Sequence, residues 1–175
     1  LEFRRVLFRS DVGAFLVAVV LPEKVEDVLA DVMAVQVIEA HAHVLKGGGE
    51  QKAGIHSISL VRHKITLEPN VSYQWSVALV PDPKSRSKDV TAGGVIKFVT
   101  PPKELAAKVE KATQLERAVA YAEAGYWYDS LQALSLAIAA SPDDAKLLRM
   151  RAALLEQVAL PDAAAADRKE AGSKK

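Results

Sequence analysis

Residues 67–94, LEPNVSYQWSVALVPDPKSRSKDVTAGG, constrain the fold more than any other stretch of this 175-residue chain. Tyr73, Trp75, Val77 and Leu79 recur at period two, with Gln74, Ser76 and Ala78 between them. That alternation predicts a strand over Ser72–Val80, apolar on one face and small or polar on the other. Pro69-Asn70, just ahead of it, is a turn dipeptide: proline presets φ and asparagine accepts the left-handed region. Behind the strand, Pro81, Pro83 and the pair Gly93-Gly94 predict a long connection and then a second strand over residues 95–100. Connections of that length are often functional or mobile.

A Leu67-x-Pro69 turn a few residues before a strand-leading tyrosine resembles the tyrosine corner of immunoglobulin-like and fibronectin-type sandwiches. There the hydroxyl bonds backbone a few residues upstream. The flanking segments add strands. Residues 14–21 are a continuous apolar run rich in valine, which predicts a buried strand ended by Pro22. Residues 25–40 fit two patterns: Val25, Val28, Leu29, Val32 and Met33 make a helical face, while Val28, Ala30, Val32 and Ala34 alternate. Residues 39–46 predict a strand closed by the flexible run Gly47-Gly48-Gly49. Residues 54–61 alternate again, with Ile58 and Leu60 on the core side. The sum is about six strands in the first hundred residues, which predicts an antiparallel β-sandwich over residues 11–100.

Pro101-Pro102 marks a boundary, beyond which strand signals stop. Residues 103–112 predict a short charged helix. From Leu115 the pattern resembles a tetratricopeptide repeat: Ala118, Tyr121, Gly125, Trp127, Ser130, Ala137 and Pro142 fall on its small, aromatic, glycine and proline positions. Gly125 ends the first helix of the hairpin. Trp127, Leu131, Leu134 and Ile138 stripe the second, and Ser141-Pro142-Asp143-Asp144 breaks and recaps the chain. Leu148, Ala152 and Leu155 stripe a third helix, stopped by Leu160-Pro161. Gln114 and Ala159 depart from the repeat pattern, where an aromatic and a glycine are usual. The expectation is one helical hairpin and half of another over residues 101–166, possessing too few repeats to stand alone. Residues 158–166 could start a last short helix, and residues 167–175 read as a charged, small-residue, disordered tail. The fold class expected is therefore α+β: an immunoglobulin- or fibronectin-like sandwich followed by a tetratricopeptide-like α-helical hairpin unit.

SYQWSVALVPDPKSRSKD, the Gly-Gly-Val-Ile strand behind it and the later YAEAGYWYDSL together resemble the bacterial domain-of-unknown-function family 928, roughly over residues 54–168. Two separate motifs in order make the resemblance specific. It implies a β-rich front, a helical back and an extracytoplasmic bacterial setting, periplasmic or extracellular, and it implies no known activity. It also favours a strand within residues 25–40.

Composition narrows the function classes. Half of the residues are hydrophobic, enough for a core, and only 6% are aromatic. The net charge of +1 owes its sign to Arg4, Arg5 and Arg9, and no concentrated basic face of the kind nucleic-acid binding needs is present. The absence of cysteine removes disulfides, thiolate nucleophiles and zinc–thiolate sites together. No apolar run reaches the length of a membrane span. Residues 1–10, LEFRRVLFRS, resemble translated linker or sequencing-adapter sequence. The rival reading is a signal peptide, with arginines ahead of the apolar residues 13–21, interrupted by Asp11 and lacking a clean cleavage site. The first reading leaves the native signal peptide outside this fragment.

Chemistry is sparse. His41 and His43 share a strand face, but two imidazoles make no complete coordination set, and no metal or cofactor is expected. His56 and Ser57 are strand neighbours and point to opposite faces. No nucleophile elbow and no phosphate-binding loop occurs. An enzyme is not expected, since no mechanism can be assembled. The connection after the first strand is the leading contact candidate, through Asp82, Arg86 and Asp89. Arg86 is its centre, with a planar fork suited to bidentate pairing either within the loop, to Asp82 or Asp89, or with a partner. Tyr126, Trp127 and Tyr128 are the second candidate: one or two belong to the helix–helix core, and a third could anchor a partner. The function expected is protein–protein interaction or assembly at the bacterial cell envelope. The alternative is a small-ligand or carbohydrate-binding β-module with Trp75 as its aromatic platform.

Overall fold

The computed structural model describes residues 6–8, 32–38, 43–48, 55, 60, 65–80 and 84–174. Its strands are β1 (Val6–Phe8), β2 (Val32–Ile38), β3 (His43–Gly48), β4 (Ser72–Val80) and β5 (Val90–Phe98). They lie in one unclosed sheet of order β1-β5-β4-β2-β3. Neighbours pair antiparallel, apart from β1, which runs parallel to β5. The antiparallel pair β4–β5 is its centre and carries its described side chains. Five helices follow: α1 (Lys103–Glu110), α2 (Gln114–Glu123), α3 (Trp127–Ala140), α4 (Ala145–Gln157) and α5 (Pro161–Ser173).

This corrects the expected architecture. A sandwich needs a second sheet across the apolar face of the first. Here the described strands form a single sheet, and helices take that place. Trp75 and Ile96, on the inward face of β4 and β5, join one buried cluster with Leu60 and Ile65 ahead of β4 and with Trp127, Tyr128, Leu131 and Leu134 of α3. The polar face of the pair, with Ser72, Gln74, Thr91 and Val95, is exposed. The immunoglobulin-like description therefore falls, although β4 occupies the predicted residues with the predicted face inward.

The tyrosine corner survives as a local device. The backbone N–H of Glu68 donates to the Tyr73 hydroxyl at 2.8 Å, and Asn70 takes φ 65° while its N–H donates to the Phe98 carbonyl at 2.7 Å. Such a turn pins the entry to any strand and does not require a second sheet.

Gly93-Gly94 was expected to interrupt the strand, yet both lie inside β5, opposite Ser76 and Trp75. The reason is space. A Cβ on Gly93 would stand 2.7 Å from the Trp75 carbonyl oxygen, and one on Gly94 3.1 Å from the Trp75 ring. Glycines let β5 close against the largest side chain of β4. Likewise Gly47 and Gly48, expected as a turn, complete β3 opposite Met33 and Val32. The ambiguous residues 25–40 contain the strand β2. The expected strands over residues 14–21 and 54–61 fall largely outside the described residues.

The helical half begins where predicted. Thr113 and Glu116 form a capping box at the start of α2, with the Thr113 N–H donating to Glu116 at 2.8 Å and the Glu116 N–H to Thr113 at 3.3 Å. These bonds hold the Glu116 carboxyl below its usual range, the backbone bond being the larger cause. Arg117 caps the end of α1 by donating to the Val109 and Glu110 carbonyls at 2.8 and 3.1 Å. Asp144 caps α4 through the Lys146 N–H at 2.9 Å, and Leu148, Ala152 and Leu155 are fully buried.

The expected half hairpin is complete. α5 packs along α4, and residues 167–173, expected as a disordered tail, are its second half, with Asp167 and Ala171 buried. The short helix expected over residues 158–166 is therefore the first part of α5, and its alanines carry too little apolar signal for periodicity to extend it through residues 167–173. Matching buried small residues, Ala118 and Ala152, Ser130 and Ala164, Ala137 and Ala171, place the two hairpins in equivalent register.

Candidate functional site

The connection between β4 and β5 contains a 3-10 turn, Arg86–Lys88, closed by the Asp89 N–H donating to the Arg86 carbonyl at 3.1 Å. Ser85 and Ser87 approach through their hydroxyls at 3.5 Å. Arg86 donates from Nε and from a terminal nitrogen to the same carboxylate oxygen of Asp89, Oδ2, each at 2.7 Å. The two partners differ in setting: the Arg86 side chain is 63% exposed and that of Asp89 only 11%. Asp89 Oδ1 is buried without a hydrogen-bond partner among the described residues. The arrangement is an exposed guanidinium clipped at its base, with N–H groups left facing solvent. Of the two pairings the sequence allows, Asp89 is the one realised, while Asp82 lies outside the described residues. An exposed pair contributes little stability; its effect is to limit where Arg86 points.

The second candidate is core. Tyr126, Trp127 and Tyr128 are all buried, so none is offered to a partner. Tyr126 follows the Gly125 turn and tilts against Tyr121 at 6.3 Å between ring centres. Trp127 donates from Nε1 to the Leu154 carbonyl at 2.9 Å, joining α3 to α4, and meets Tyr128 edge-on at 5.0 Å. Ser130 donates to the Ala118 carbonyl at 2.7 Å, joining α3 to α2. Burial pushes the Tyr128 hydroxyl up to about 12, the neighbouring Trp75 side chain opposing part of that rise, and the two side chains share one buried cluster. Trp75 thus ties the sheet to α3. At 2% exposure it cannot serve as a carbohydrate platform, which removes the feature on which the small-ligand alternative rested.

Two features escaped the sequence. Arg151 of α4 and Asp167 of α5 form a bidentate, largely buried pair. The signal for it was present as opposite charges on the inward faces of successive helices, visible only once α5 was recognised as a helix. Val95, Val119 and Leu136 are exposed large apolar side chains, and they stand on three different elements. No group of three or more histidine, cysteine, aspartate or glutamate side chains that could hold a metal occurs among the described residues. No described helix is long and apolar enough to cross a membrane.

The model of one family, Domain of Unknown Function (DUF928), matches residues 14–168. The match reaches further towards the start of the chain than the motifs alone suggested. No curated protein matches. The chain belongs to the DUF928 family.

Proposed function

We propose that this member of an uncharacterised family is a non-enzymatic protein–protein interaction or assembly module of the bacterial cell envelope, placed in the periplasm or outside the cell. The observation that carries the reading is Arg86, an exposed cation held by Asp89 on a long connection. A charged group already restrained before contact loses less freedom when a partner arrives, and its free N–H groups suit a carboxylate.

The test is affinity capture from an envelope extract with wild-type, Arg86→Ala and Leu136→Ser baits, each checked for folding. The expected result is a defined protein recovered by wild type and lost with Arg86→Ala. Recovery unchanged by Arg86→Ala discards the proposed contact, and no recovery at all overturns the interaction reading. Cell fractionation tests the location separately: a tagged full-length protein found only in the cytosol overturns the envelope assignment.

A further inference from the structure

Helix α5 is joined to the rest of the protein by small buried side chains and by ion pairs. Its buried residues are Ala163, Ala164, Asp167 and Ala171, so the apolar area it removes from water is small. Arg151 of α4 donates to both carboxylate oxygens of Asp167, at 2.8 and 2.7 Å, and approaches the Ser135 hydroxyl of α3 at 3.4 Å. Those side chains are only 14% and 8% exposed. Arg168 pairs with Glu156 nearer the surface, and Lys174 reaches Asp143 at 3.3 Å. A buried pair of this kind is selective, because either charge left alone in the interior is costly. The α4 surface accepts a helix that brings an acid to that position between alanines.

The connection that delivers α5 is short and strained. Only residues 158–160 separate it from α4, and Ala159 sits at φ 57°, a conformation that a Cβ disfavours. Pro161 opens α5, which prevents the two helices from running on as one. Strain in a short connection is released when the connection opens, and the same α4–α5 contacts can then re-form between two chains with none lost.

We infer that α5 exchanges between two copies of this chain, giving a dimer in which the α5 of each copy lies on the α4 of the other, with Arg151 of one copy holding Asp167 of its mate. The inference is independent of the proposed interaction at Arg86.

Charge reversal tests it. In Arg151→Glu and in Asp167→Arg the closed chain sets like charges face to face. Refolded together, the two variants match only in crossed dimers. The expected result is a heterodimer in native mass spectrometry, melting above either variant alone, while the double variant Arg151→Glu/Asp167→Arg, whose pair is restored within one chain, folds and dimerises as wild type does. Wild type refolded at rising concentration gives a rising dimer fraction, and Ala159→Gly lowers its dimerisation constant about thirtyfold by relaxing the closed connection in both of the chains that make a dimer. Monomers alone from the mixed variants, with the double variant folded, overturn the proposal. Should neither single variant fold, the wild-type series decides: monomer at every concentration, or a dimer that Ala159→Gly does not weaken, overturns it equally.

Discussion

Trp75 sets the terms for the residues around it. Its inward ring leaves little room for a Cβ at Gly94, and at Gly93 the close neighbour is the Trp75 backbone carbonyl rather than a movable side chain. Gly93→Ala is therefore expected to destabilise the protein by about 1–3 kcal/mol, the range for overpacking, measured by chemical denaturation. Tyr128, its partner across the sheet–helix joint, makes a pH-dependent contribution. Its hydroxyl ionises near 12 in the folded protein against an ordinary value of 10.0, so the fold favours the neutral form. The stability from that preference is complete below pH 10 and is lost as pH rises from 10 towards 12. Tyr128→Phe should lose less stability over that interval than wild type, read as the denaturation midpoint at each pH. Trp75 and Tyr73 were legible as strand residues because strand alternation is a local signal. That Trp75 meets Tyr128, distant in sequence, was not, because no local pattern encodes it.

At the scale of elements, α2 and α4 end in the same way. The Tyr126 N–H donates to the Tyr121 carbonyl at 2.9 Å and the Gly125 N–H to Ala122 at 3.2 Å; Leu160 and Ala159 donate equivalently to Leu155 and Glu156, each at 3.1 Å. This is the Schellman arrangement, whose left-handed residue is normally glycine. The first hairpin has Gly125 there, at φ 81°, and the second has Ala159. Ala159→Gly should raise stability by about 1 kcal/mol, and Gly125→Ala, where a Cβ meets nothing but its own backbone, should lower it by about the same. Thermal or chemical denaturation of the two variants against wild type checks both signs. Ala159 was visible in the sequence as a departure from the repeat pattern, but its meaning as a strained cap required the backbone angle.

At the scale of the molecule, the sheet and the helices share one buried cluster, in which Leu60, Ile65, Trp75 and Ile96 meet Trp127, Tyr128 and Leu131. Pro101-Pro102 was expected to separate two domains. A shared core predicts that both halves unfold together, since neither keeps its apolar face covered without the other. Calorimetry and denaturation followed by separate strand and helix probes should give one coincident transition. Two resolved transitions would restore the two-domain description.

The strand over Ser72–Val80, the turn at Asn70, the caps at Thr113 and Asp144 and the helical stripe of Leu148, Ala152 and Leu155 are decided within a few residues, by the period of the backbone and the geometry of its end groups. They were open to reading because nothing distant enters. What covers the face of Trp75 is a matter of which surfaces the chain brings together: helices there, in place of a second sheet, turned a sandwich motif into a single sheet backed by a helical bundle. The same dependence carried the last helix on through residues 167–173, where the sequence offers little until Arg151 stands opposite Asp167. Local periodicity carries no address for such partners, and tertiary contact alone supplies it.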